Sequence, residues 1–220
     1  IYACFEYLRL TFDHDTFEMN LLPAIQKIIY SYQNGTRFGI HADEDGLITG
    51  GDKDTQLTWM DAKCNGIAFT PRYGKAVEIN ALWYNAICFC LELANGGHDM
   101  KFVKAWTDLP DRIKSSFLDL FWDDQHKYLA DYIDHDMKDW SVRPNQVFAT
   151  SLPYSPLDDD MKKSVLEIIE KELLTTRGLR TLSPKNPLYK GEYSGSQEER
   201  DEAYHQGTVW PGSLGHFVEG

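Results

Sequence analysis

Trp59, Asp61 and Lys63 lie together in the stretch TQLTWMDAK, residues 55 to 63, just ahead of a long helical pattern. A carboxyl beside an indole suits proton transfer. The apolar ring raises the carboxyl pKa by desolvation, and a nearby lysine opposes that shift. Taken alone, Asp61 reads as an N-cap or a surface carboxylate, with a working acid as the alternative. Other carboxylates also lie near aromatic residues. Glu78 opens the helical pattern that carries Asn80 and Trp83, and Glu192, Glu202 and Glu219 flank YHQGTVW at 204 to 210. Two such carboxyls across a gap of about 6.5 to 9.5 Å hydrolyse a glycosidic bond with inversion, and across about 5 Å with retention.

Other chemistries find less support. The histidines, His14, His41, His98, His126, His135, His205 and His216, are scattered, without zinc spacing or a GxSxG elbow. HADEDGLITGGD places Asp43, Asp45, Gly46 and Asp52 near calcium-loop offsets, but His41 occupies the first position, and an Asx-rich turn is the plainer reading. No metal site and no cofactor are expected. Cys4, Cys64, Cys88 and Cys90 read as free thiols of a reducing compartment, since Cys88 and Cys90 fall on different faces of a helix.

The net charge of −12 argues against nucleic acid and anionic membranes as partners. A neutral polar ligand is indifferent to it, and 6 Trp with 12 Tyr supply flat apolar platforms for one. No apolar run reaches the roughly 20 residues of a membrane span, and the opening IYACFEYLRL is not a secretory signal. That opening starts in mid-pattern, and GSLGHFVEG closes as an apolar helix starts, so a piece of a longer polypeptide is expected.

The elements that must hold these residues are mostly helical. Residues 2 to 10 read as the end of a helix. Thr16 to Gln33 reads as a second, kinked or restarted at Pro23 and stopped by Asn34-Gly35. Residues 36 to 76 form a long irregular segment with short β-like pieces, and such loops are usually functional. Helices are expected from Val77 to Leu93, from Asp99 to Leu120 with a break near Pro110, from Asn145 to Leu152, and from Asp158 to Thr176 with Asp158 as cap. Residues 121 to 145 read as a hairpin excursion. The stretch from 182 onward is loop-like until a last helix near Gly212. The architecture expected is antiparallel helix hairpins in a toroid or bundle, with chemistry on the loops.

Four segments in order, QLTWMDAK, TPRYGKAVEINALWYN, VRPNQVFA and AYHQGTVWP, closely resemble the C-terminal domain of glycogen debranching enzymes. The resemblance spans nearly the whole chain. It implies an (α/α)6-barrel glycoside hydrolase of the amylo-α-1,6-glucosidase kind, which removes α-1,6-linked glucose stubs from glycogen or limit dextrin by inversion. It implies a cytoplasmic, glucan-binding enzyme whose longer parents often carry 4-α-glucanotransferase activity. Carried across by position, Asp61 is the general acid. Trp59, Lys63, Arg72, Arg143, Asn145, Tyr204, His205, Gln206 and Trp210 line the pocket with Glu78. Eukaryotic relatives read Gly-Pro-Glu-Trp where this chain has Gly207-Thr208-Val209-Trp210, the bacterial form, so Val209 cannot be the base. Glu219 and Glu78 are the candidates, with Glu219 preferred. Bacterial relatives also tend to carry Trp where Gly212 stands.

A complete toroid needs roughly twelve helices, and about seven or eight are legible here. Residues 1 to 220 are therefore expected to form one truncated catalytic domain: mainly α, a partial (α/α)6 toroid with long irregular loops and a short β-hairpin. Little activity is expected of these residues by themselves, and exposed inter-helix surface is expected to drive self-association. The alternatives are another (α/α)6 glycosidase, trehalase-like or rhamnosidase-like, and a non-catalytic glucan binder using Trp59, Trp83 and Trp210.

Overall fold

A computed structural model describes residues 1 to 97 and 106 to 220. Its N-terminal helices are α1 (Tyr2–Thr11), the single turn α2 (His14–Thr16), and α3 (Leu22–Asn34), which α2 reaches through a π-helical segment, Phe17–Leu21. The expected irregularity at Pro23 takes this form. Proline has no N–H and crowds the preceding turn, and the wider turn, in which the Leu22 N–H donates to the Phe17 carbonyl, relieves that crowding.

Short antiparallel strands occupy the irregular stretch before the central helix. They are β1 (His41–Ala42) with β2 (Ile48–Thr49), β3 (Lys63–Cys64) with β4 (Ile67–Ala68), and β5 (Lys75–Ala76). The central helix α4 (Val77–Asn95) is apolar nearly all round and packs against α1 on one side. Its 19 residues are long and apolar enough to span a bilayer by composition alone, which the sequence reading did not register. Most of that face is buried within the fold, as expected for a core helix. Phe5 of α1 meets Phe89 of α4 edge-on at 4.7 Å, and Ile87 is fully buried. Truncating Ile87 to Ala would cost about 2 to 5 kcal/mol.

Then follow α5 (Leu109–Phe121), the hairpin of β6 (Trp122–Asp123) with β7 (Tyr128–Leu129), and the hairpin of β8 (Tyr132–Asp134) with β9 (Met137–Lys138). Pro110 lies in the first turn of α5, where its missing N–H costs nothing. Residues 99 to 105 of the expected helix lie outside the described residues. A 3₁₀ turn, Pro144–Gln146, leads into α6 (Val147–Ser151), which packs on α4. Next is α7 (Asp159–Glu172), where Asp158 caps the first turn by accepting from the Met161 N–H at 2.8 Å. This helix stops earlier than expected, because the chain turns at Gly178 and pairs β10 (Leu174–Thr175) with β11 (Gly178–Arg180).

One further helix, α8 (Gln197–Tyr204), stands where a loop was expected. Its Ser196–Glu199 capping box is legible in the sequence as S-x-x-E. The chain ends through β12 (Val209–Trp210) and α9 (Leu214–Glu219), which packs on α6.

Two strand pairings position the site. β5 pairs with β8, which brings the loop carrying Arg72 beside Asp131. β11 pairs with β12, which brings Thr181 beside Gly207.

Candidate active site

The stretch around Asp61 alternates between the surface and the interior. Met60 is fully buried, while Trp59 and Asp61 on either side of it are exposed. The buried Met60 anchors this stretch. The Met60 sulfur lies 3.6 Å from Asn145 Nδ2 and 3.9 Å from Arg143 Nη1. Asp61 is not a helix cap: β3 follows it, and α4 begins only after Ala76. Among the described residues its carboxylate has no hydrogen-bond or ion-pair partner. Lys63 points away, donating to the Asp54 carbonyl at 3.3 Å.

Beneath this face lies a buried charge network. The Arg72 guanidinium donates to both oxygens of Glu78 at 2.6 Å each, and through Nε to Asp131 Oδ2 at 2.7 Å. Burial by itself would lower the Arg72 pKa, but the two carboxylates outweigh it and hold the pKa above the usual arginine range. Arg143 stands alongside, with Nε 3.6 Å from Asp131 Oδ2. Desolvation pulls its pKa below the ordinary value, with neighbouring Arg72 adding to that pull and Asp131 opposing it. Two arginines and two carboxylates thus balance inside the protein, as buried charges must. Asn145 Nδ2 donates to Asp131 Oδ1 at 2.7 Å, and Asn145 Oδ1 accepts from Trp59 Nε1 at 2.7 Å.

The second wall comes from the YHQG segment. Arg143 Nη1 donates to the His205 carbonyl at 2.7 Å, and Nη2 to Gln206 Oε1 at 2.8 Å. Gln206 Nε2 in turn donates to the Phe69 carbonyl at 2.9 Å. The Trp59 and His205 rings meet edge-to-face at 5.3 Å. Tyr204 packs edge-on against His205 and against Trp210, each at 4.8 Å. Desolvation pushes the His205 pKa down to about 4, with Asp61 partly opposing the shift and Arg143 and Arg72 adding to it. His205 is therefore neutral at neutral pH, within electrostatic reach of Asp61. Gly207, at φ 151°, brings the backbone against residue 190: an added Cβ would run into the Lys190 carbonyl.

The fold thus brings together Trp59, Asp61, Arg72, Glu78, Arg143, Asn145, Tyr204, His205, Gln206 and Trp210. Glu78 is buried and fully engaged by Arg72. Glu219 stands exposed on α9, with Tyr2 and His216 as its electrostatic neighbours. Trp83 belongs to the core: its Nε1 donates to the Gly46 carbonyl at 3.0 Å and its ring stacks on Tyr32. The stretch HADEDGLITGGD holds an Asx turn, the plainer of the two readings. Asp45 makes the turn by accepting from the Leu47 N–H, Asp43 accepts from the adjacent Glu44 N–H, and the Lys75 ammonium bridges both carboxylates. All four cysteines are free thiols. Sequence reasoning missed Asp131, the carboxylate that joins Arg72, Arg143 and Asn145. Its setting in an apolar alternating run, YLADYID, was the available signal.

An apolar groove of about 300 Å³, lined by Tyr2, Ile28, Tyr32, Ile79 and Trp83 among others, holds none of these residues. The polar network, rather than this apolar groove, gathers groups that can bind or donate a proton. Tyr193, Tyr204, Thr208, Val209 and Trp210 line an open cleft of about 240 Å³ beside His205.

Helix hairpins with the free carboxylate, the open indole and the arginine–carboxylate floor on their loops have an (α/α)6 type of fold. The structure is similar to the crystal structure of a GH78 family rhamnosidase of Bacillus sp. GL1, with a TM-score of 0.55 and 18% identity over 76% of this chain and 16% of that one. Neutral trehalase Nth1 from Saccharomyces cerevisiae gives a TM-score of 0.44 and 12% identity over 94% of this chain and 40% of that one. In sequence the chain is 29% identical over 244 residues to the glycogen debranching enzyme of Saccharomyces cerevisiae (strain ATCC 204508 / S288c), across 91% of this chain and 16% of that protein's length. The family model described as Amylo-alpha-1,6-glucosidase matches residues 1–220, and the chain belongs to that family.

Proposed function

We propose that the chain is the glycosidase part of a glycogen-debranching polypeptide, and that it removes α-1,6-linked glucose stubs from glycogen or limit dextrin. The observation that carries this reading is the standing of Asp61. Of the carboxylates in the site, Glu78 and Asp131 are both held by Arg72, while Asp61 is free, beside an open indole and a neutral histidine. In the proposed step Asp61 protonates the glycosidic oxygen as the C1–O bond breaks. A water attacks C1 from the opposite face and gives its proton to a base, so that glucose leaves with inverted configuration. Glu219 is the base proposed from the resemblance, since Glu78 is engaged by Arg72; it stands on α9 with Tyr2 and His216 as neighbours rather than among the residues gathered around Asp61. Trp59 and Trp210 offer platforms for apolar sugar faces. A 4-α-glucanotransferase activity elsewhere in the polypeptide and a cytoplasmic location belong to the same proposal.

The test is glucose release from a phosphorylase-limit dextrin by the intact protein, followed for the parent and for Asp61→Asn. Loss of a general acid is expected to cost about 10²- to 10⁴-fold in rate, with glucan affinity retained. Release at the parental rate by the variant would remove Asp61 from the role.

A second reading, a non-catalytic glucan binder, is favoured by the engagement of both Glu78 and Asp131 with Arg72, which leaves Asp61 without a second free carboxylate in the network. Glucan binding without glucose release by the parent would select it. Turnover of an aryl rhamnoside or of trehalose without turnover of dextrin would select another glycosidase specificity.

A further inference from the structure

The geometry points to Asp131 as a positioning residue that fixes the orientation of the Trp59 indole through Asn145 and anchors the opposite wall of the site through Arg143. Asp131 is itself held by both its backbone and its side chain. Its backbone carbonyl accepts from the Val77 N–H and from Arg72 Nη2, each at 3.1 Å, and its N–H donates to the Asp139 carbonyl at 2.7 Å. Its side chain is 1% exposed and receives Arg72 Nε at 2.7 Å, Arg72 Nη2 at 3.2 Å and Asn145 Nδ2 at 2.7 Å.

The chemistry of the Asn145 amide transmits this order. An ionised carboxylate is an acceptor only, so Asn145 must turn its NH₂ toward Asp131. Its carbonyl oxygen then faces the other way, toward Trp59, whose Nε1–H is a donor only. One carboxylate charge therefore dictates the amide orientation, and the amide dictates where the indole sits. With a neutral amide at 131 the Asn145 side chain could reverse, setting donor against donor at Trp59. On the other wall, Arg143 holds the His205 carbonyl and the Gln206 side chain, and Asp131 is the carboxylate beside its guanidinium. The two walls of the site thus hang on a single buried charge.

The test uses the intact protein labelled with 5-fluorotryptophan, with the Trp59 fluorine resonance assigned by Trp59→Phe. Asp131→Asn removes the charge and keeps the shape. Asn145→Leu removes the bridge and leaves Asp131 paired with both arginines, so it tests the link from Asn145 to Trp59 even if Asp131→Asn does not fold. Each is expected to shift and broaden the Trp59 resonance while the other tryptophan resonances stay in place. A sharp, unshifted Trp59 signal in folded Asn145→Leu would overturn the assignment. A second arm rests on the reading of Trp59 as a sugar platform. Asn145→Leu is expected to raise KM for limit dextrin by about 10-fold with kcat changed by less than about 3-fold, and to have almost no added effect in a Trp59→Phe background. Equal losses in both backgrounds would overturn the route through Trp59. If the parent neither binds nor cleaves the dextrin, the functional reading fails, and the fluorine signal still decides the role of Asp131.

Discussion

Trp59 Nε1 and Asn145 Oδ1 lie 2.7 Å apart, a bond that joins the irregular N-terminal loops to the 3₁₀ turn ahead of α6. Through it an indole that stays 37% exposed is tied to a fully buried amide. An exposed tryptophan on a loop would otherwise sample several rotamers. Here its orientation is set before any ligand arrives, which reduces the ordering cost of binding.

Arg72 is expected to be the side chain in the site that the fold can least spare. It neutralises Glu78 and Asp131 at once, with both carboxylates almost fully buried. Arg72→Met leaves two buried carboxylates short of their partner, and breaking a buried pair costs about 3 to 5 kcal/mol. Urea unfolding should show this as a lowered midpoint at unchanged slope. A loss below about 1 kcal/mol would mean that water reaches the carboxylates.

His205 should make stability depend on pH in mildly acidic solution. Its pKa is about 4 in the folded chain, against 6.5 for a free histidine. Between those values the unfolded chain binds a proton that the folded chain does not, so stability rises with pH. The contribution is complete above pH 6.5 and is lost as pH falls toward about 4, by about 3 kcal/mol in all. His205→Gln should flatten this part of the curve. An identical pH dependence in the variant would place the titration elsewhere.

Gly207 should not tolerate a side chain. Its φ of 151° is a conformation L-residues rarely adopt, and the Lys190 carbonyl occupies the space a Cβ would need. Gly207→Ala is expected to cost about 1 to 3 kcal/mol, read as a lowered melting temperature. Gly212, with nothing within 4 Å of an added Cβ, is the control, and Gly212→Ala should stay within about 0.5 kcal/mol of the parent.

Self-association is expected of residues 1 to 220 prepared by themselves. Leu10, Phe12, Met19, Ile28 and Tyr30 are all exposed along α1 to α3, near an apolar groove that contains Ile28. Sedimentation should show a concentration-dependent shift to a dimer or larger species. Replacing Phe12 and Met19 with serine should reduce it, and a monomer at all concentrations would count against this surface as an interface.

The helical class and most helix positions are legible in the chain's local patterns, because apolar spacing and cap residues are local signals. α4 follows from its apolar run, α7 from Asp158, and even the overlooked α8 was announced by Ser196 and Glu199. The motifs around Trp59, Arg143 and His205 were legible as residues and in their order. Local signals could not say which of them meet. Asp131 escaped notice because its partner Arg72 is 59 residues away, and Trp59 contacts Asn145 across 86. Only the tertiary structure separated the carboxylates by role, since a carboxylate's role depends on whether an arginine reaches it. It buried Glu78 and Asp131 around Arg72 and left Asp61 free at the surface, because the pairing of β5 with β8 and the anchoring of Met60 are long-range packing decisions that no local stretch of chain encodes.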